Sequence, residues 1–110
     1  MKGYIVGQIT GEPWYKDIFA VAERYIMNYE APLHEFAVLN PAKLPETGME
    51  PKDYMQICAA MINVADIVYL LPNWEYSDGA TAERAYAICT HKPVMSLPPI
   101  TTMMKKMGEL

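Results

Sequence analysis

Positive charge is thin along this chain. Its 110 residues include 9 Lys and Arg against 13 Asp and Glu, for a formal net charge of −4. Beyond Lys105-Lys106 there is no basic cluster, which argues against a nucleic-acid polymer as partner. Cysteine is also scarce. Cys58 and Cys89 form no CxxC and belong to no Cys/His spacing that would hold a metal. Two thiols in apolar, helix-like stretches read as buried and reduced, as in an intracellular protein. His34 and His91 lie far apart and near element ends, so both are expected at the surface, and no metal site and no cofactor are expected. Long apolar runs are missing too. None reaches the length of a membrane span, so no membrane partner is expected, and MKGYIVG is too short for a signal peptide. A cytoplasmic location is the resulting expectation. There is neither GxGxxG nor a GK[ST] ending, so the common dinucleotide and triphosphate loops are absent. Internal repeats and low-complexity segments are absent as well.

What remains is apolar material for one core: 52% of the residues, in a length suited to one domain over 1–110. The pattern alternates. Lys2 to Val6 reads as a strand that ends at Gly7. Pro13 opens a helix whose stripe is Trp14, Ile18, Val21, Ala22, Tyr25, Ile26 and Tyr29. Glu35 to Leu39 is a second strand, followed by a proline-rich loop from Asn40 to Pro51. Tyr54, Ile57, Cys58, Met61 and Ile62 mark a second helix. Asp66 to Leu71 is a β-branched, apolar run that suits a strand covered on both faces, and Pro72 stops it. Ser77-Asp78-Gly79 opens a third helix. Val94 to Leu97 is a fourth strand. The tail, 100–110, reads as a short helix capped by Thr101-Thr102, packed on the domain or on a second copy through its methionines.

This β-α-β-α-β-α-β order implies a three-layer, Rossmann- or flavodoxin-like α/β fold. It has a parallel sheet of about four strands, right-handed crossovers and helices on both faces. Strand order 2-1-3-4 would bring the loop Gly7-Gln8-Ile9-Thr10-Gly11, the Asn40 loop and the segment Ser77 to Glu83 to one crevice at the switch point. Glu83 is the candidate reactive group. Its helical neighbours Gly79, Ala80, Tyr86 and Ala87 are small or apolar, so a ligand can approach it. An ordinary first-turn carboxylate, placed there by the helix dipole, is the competing reading.

Taken together, several motifs resemble the DUF4406 family of small bacterial and phage proteins. They are Gly7-Gln8-Ile9-Thr10-Gly11, a Trp/Tyr-bearing first helix, Asn40-Pro41-Ala42, Tyr54-Met55, and the run from Asp66 through Trp74, Ser77, Gly79, Ala80 and Glu83 to Ala87. That family is similar to the nucleoside 2-deoxyribosyltransferases and the deoxynucleoside 5′-monophosphate N-glycosidases. The resemblance implies cleavage of the bond between 2-deoxyribose and its base, with Glu83 attacking the anomeric carbon. It places Tyr4 beside the sugar or the glutamate, where a core tyrosine is the other reading. It implies a phosphate or 5′-hydroxyl contact for Ser77, which would also cap the helix. Gly7, Gln8, Ile9, Gly11, Asn40 and Gly79 would complete a nucleoside or nucleotide site. Trp74 would either stack on the base or cover the loop. A homo-oligomer is implied as well. One departure is Cys58, which stands where the relatives carry an aspartate that helps protonate the leaving base. Two functions therefore follow: an N-glycosidase or 2-deoxyribosyltransferase, or a nucleotide-binding module without chemistry. Receiver and flavodoxin readings fail, because Gly7-Gln8 and Pro72-Asn73 stand where acidic residues are needed and the first loop is too sparse in Ser and Thr.

Overall fold

A computed structural model describes all residues from Met1 to Leu110. Four parallel strands form one sheet in the order β2-β1-β3-β4: β1 Lys2–Val6, β2 Ala37–Leu39, β3 Ile67–Leu70 and β4 Val94–Ser96. Between and after them run α1 Tyr15–Glu30, α2 Pro51–Val64, α3 Asp78–Cys89 and α4 Ile100–Lys106. The expected architecture and strand order are both present.

Side-chain alternation along the central strands builds two cores. Tyr4, Val6, Val68 and Leu70 face one way and pack with Cys58 and Ile62 of α2 and Ala80 and Ala87 of α3. Ile5, Tyr69 and Leu71 face the other way, onto Phe19, Ala22 and Ile26 of α1 and Met103 of α4. Both faces of β1 and β3 are thus covered, which is why their sequences carry no polar alternation.

Local chemistry sets the element ends. Pro51 starts α2, and the Asp53 carboxylate accepts the Glu50 N–H at 2.8 Å. Ser77 caps α3, its Oγ accepting the Ala80 N–H at 3.1 Å. Gly7 belongs at its position because of packing. A methyl group there would lie 2.5 Å from Leu71 Cδ1 and 3.1 Å from Phe19 Cζ. Gly7→Ala is therefore expected to destabilise the fold by roughly 1–2 kcal/mol, read as a lower urea midpoint at unchanged slope.

Several sequence expectations are corrected. Helix α1 begins at Tyr15, after Pro13, and Trp14 is 68% exposed rather than part of the core stripe. Tyr29 and Ile57 are likewise on the surface, and the fully buried Phe19 does the packing expected of that first stripe. Cys58 is buried as expected, but Cys89 is exposed at the end of α3. Helix α4 starts after Pro99 with no side-chain cap from Thr101 or Thr102. Its Met103 is fully buried in the chain's own core, and Arg24 grips the Glu109 carboxylate at 2.9 and 3.1 Å. His34 is half-buried against Glu30, and no helix is long and apolar enough to cross a membrane.

Candidate active site

A cavity of about 710 Å³ opens at the carboxyl end of β1 and β3. Hydrogen bonding continues past the strands to form its edge, once through the backbone and once through a side chain. Leu71 N–H donates to the Val6 carbonyl at 2.8 Å, and Gln8 N–H donates to Asn73 Oδ1 at 3.1 Å. These two bonds hold the Gly7 loop against the loop after β3, at the crossing point where the chain winds to opposite faces of the sheet.

Glu83 lies in the cavity wall, one turn and a half into α3. Tyr4 rises from β1 beneath it, wholly buried, and its Oη donates to Glu83 Oε1 at 2.6 Å. The other carboxylate oxygen, Oε2, has no hydrogen-bond partner in the protein. Burial pushes the Glu83 carboxyl above its ordinary pKa, and the Tyr4 bond works against that rise without cancelling it. Tyr4 is raised well above a normal tyrosine by burial and then by the neighbouring Glu83 charge. Cys58 shares the wall, and burial raises its thiol despite the proximity of the Tyr4 hydroxyl. Raised in this way, the Tyr4 phenol and the Cys58 thiol keep their protons at neutral pH, and the Glu83 carboxyl is held at one oxygen by the phenol. Such an arrangement can offer Oε2 as a nucleophile to an electron-poor carbon.

The predicted site residues separate into two sets. Gly7, Ile9, Ser77, Gly79 and Glu83 share the cavity wall, and Tyr4 reaches it through Glu83. Gln8, Gly11, Asn40 and Trp74 stand off it. Gln8 turns its side-chain amide back to the Thr10 carbonyl at 3.1 Å. Gly11 has φ +85°, a left-handed turn that shapes the loop. Asn40 is buried and internally satisfied. Its Oδ1 accepts the Ala42 N–H at 2.9 Å and its Nδ2 donates to Glu23 at 3.2 Å. Trp74 packs, half-buried, against the core shared by the sheet, α2 and α3, with the Arg84 guanidinium 4.6 Å from its ring centroid.

The far wall was missed. Tyr15, Leu44, Glu46, Tyr54 and Met55 all line the cavity. Helical spacing held the signal for two of them, because Tyr54 and Met55 precede Cys58 by four and three residues and so share its face. Tyr54 also ties the proline-rich loop to α2, its hydroxyl donating to the Pro45 carbonyl. Lys16, outside the wall, pairs with Glu46. No group of His, Cys, Asp and Glu is arranged to hold a metal ion.

Known proteins resemble this chain in two ways. In fold, it is similar to a 2-desoxiribosyltransferase from Leishmania mexicana, with a TM-score of 0.65 at 17% sequence identity. The match covers 87% of this chain and 63% of that protein, so the chain spans less than two thirds of the neighbour's length. At that identity the likeness is one of fold. Among curated proteins, no sequence matches. The profile of the family described as "Domain of unknown function (DUF4406)" matches residues 1–96, including both strands and all the loops that build the cavity wall, and on that match the chain belongs to the DUF4406 family.

Proposed function

We propose that this protein cleaves the N-glycosidic bond of a nucleoside or nucleoside 5′-monophosphate, passing a 2-deoxyribosyl group to another base or to water. One observation carries this reading. A carboxylate with one free oxygen faces a cavity of nucleoside size, braced by a buried tyrosine hydroxyl at 2.6 Å. Cleavage of an N-glycoside builds positive charge on the anomeric carbon, and an adjacent carboxylate stabilises that charge and then captures it. In this reading Glu83 is the nucleophile and Tyr4 orients it. Gly7, Ile9, Ser77 and Gly79 hold the sugar end, and a homo-oligomer is the working state.

A second reading is a nucleotide-binding module without turnover. Cys58 favours it, because the site beside Glu83 holds a thiol where the related enzymes have a carboxylic acid. Incubation with deoxynucleosides and their 5′-monophosphates, followed by chromatography for free base, separates the two. Release that vanishes in Glu83→Ala supports the first reading. Release that persists in Glu83→Ala overturns Glu83 as nucleophile, and binding without release favours the module.

A further inference from the structure

Charge in the cavity wall is one-sided. Of 18 lining residues none is Lys, Arg or His, while three are acidic: Glu46, Asp78 and Glu83. Cations close to these segments are engaged elsewhere. Lys43 pairs with Glu23 at 3.0 Å, Lys52 with Glu50 at 3.3 Å, and Arg84 lies over Trp74. Lys16 neutralises Glu46 from outside the wall. Asp78 and Glu83 have no cationic partner.

A phosphate in this cavity would meet two uncompensated carboxylates and no counter-charge. The first amides of α3 offer it only the partial charge of a helix end, with the Asp78 carboxylate on that same first turn opposing it. A 5′-hydroxyl fits better. It is neutral, and it can donate to a carboxylate and accept from an amide.

The leaving base faces a related problem. A neutral base needs a proton on its nitrogen as the bond breaks. The Tyr4 hydroxyl is committed to Glu83, and the other neighbour, Cys58, is a buried thiol. A base that already carries positive charge needs no acid, because it leaves neutral. The rings of Tyr15, Tyr54 and Tyr76 in the wall add faces that attract a cation.

We propose that the cavity selects nucleosides that lack a 5′-phosphate and carry a positive charge on the base. The chemical step rests on the glycosidic reading above, whereas the binding preference stands without it. In that step the C1′–N bond breaks and its electron pair stays with the base nitrogen, which becomes neutral. Glu83 Oε2 bonds to C1′. Water then attacks C1′, its hydroxyl remains on the sugar and its proton passes to solvent. The C1′–Oε2 pair returns to the carboxylate.

Three probes test this with one sugar and one base: 1-methyl-2′-deoxyadenosine as the cation, 2′-deoxyadenosine as the neutral form, and 2′-deoxyadenosine 5′-monophosphate as the anion. Calorimetric titration of the full chain at low salt is expected to rank them in that order, with at least about tenfold between first and last. Added salt is expected to narrow the gap, as is Asp78→Asn at the exposed start of α3. Monophosphate binding equal to or tighter than the cation overturns the proposal. So does a ranking that salt leaves unmoved, or an absence of binding by all three. Base release followed in parallel keeps the two readings apart. Glu83-dependent release from the monophosphate at a rate equal to the cation's would uphold the glycosidic reading and refute this one. The expected ranking with no release would do the reverse.

Discussion

Glu83→Gln is expected to lower the rate of base release by about 10³-fold or more while making the fold more stable. The two effects have one cause. The native carboxylate is held in a partly buried site whose desolvation raises its pKa, so ionising it costs folding free energy. Its folded pKa lies above its unfolded one. Its contribution to stability is therefore complete below the unfolded carboxylate range and is lost as pH rises through the folded value. Glutamine has no charge to desolvate, and its amide oxygen still accepts from Tyr4. At neutral pH the variant should gain about 1 kcal/mol, or roughly 5 °C in melting temperature. Near pH 4 the gain should disappear. For the native protein, kcat/KM should fall at acid pH with a midpoint above that of a free glutamate. A variant that loses activity and stability together would show that Glu83 serves the fold and not the chemistry.

How much of this was legible in the sequence follows from the range of each interaction. The sheet order came through because it depends on repeating patterns: the apolar, β-branched run from Asp66 to Leu71 suited a doubly covered strand, and the alternation of strands with helical stripes implied parallel crossovers. Helical spacing set Glu83 beside small residues, and Ala80 and Ala87 are the buried face of α3, but that spacing also fits an ordinary first-turn carboxylate, and the family resemblance is what pointed Glu83 to a site. Asn40 was not legible. Whether its amide faces a ligand or closes on Ala42 and Glu23 depends on a partner 17 residues away, which no local pattern encodes. Trp14 illustrates the same limit. It shares the period of α1, yet the helix starts one residue later and Phe19, outside the predicted stripe, occupies the core. The clasp of Asn73 on the Gly7 loop spans 65 residues and rests on one hydrogen bond, so it too had no local signature. The one-sided charge of the wall emerges only when the loop around Glu46, the start of α3 and Glu83 are brought together.

Tyr4→Phe tests whether the buried hydroxyl tunes Glu83 or only fills space. Phenylalanine keeps the ring in its core position and removes a single oxygen. Glu83 then loses the hydrogen bond that now pulls its pKa down, while the desolvation that pushes it up remains. The folded pKa should rise further, and the acid limb of the kcat/KM profile should move to higher pH. At neutral pH the rate should drop by about 10²-fold, combining a smaller ionised fraction with a carboxylate free to turn away from C1′. Part of the loss should be recovered as pH is raised, which a packing defect would not allow. Stability should follow the same sign. The variant should lose about 1.5–3 kcal/mol where Glu83 is ionised, because a buried charge has lost its donor, and less at acid pH where the carboxyl is neutral. Cys58 is the other titratable neighbour, and its thiol stays protonated through this range because burial raises it. A Tyr4→Phe profile that falls uniformly, with its acid limb unmoved, would mean that the 2.6 Å contact does not set the charge of Glu83.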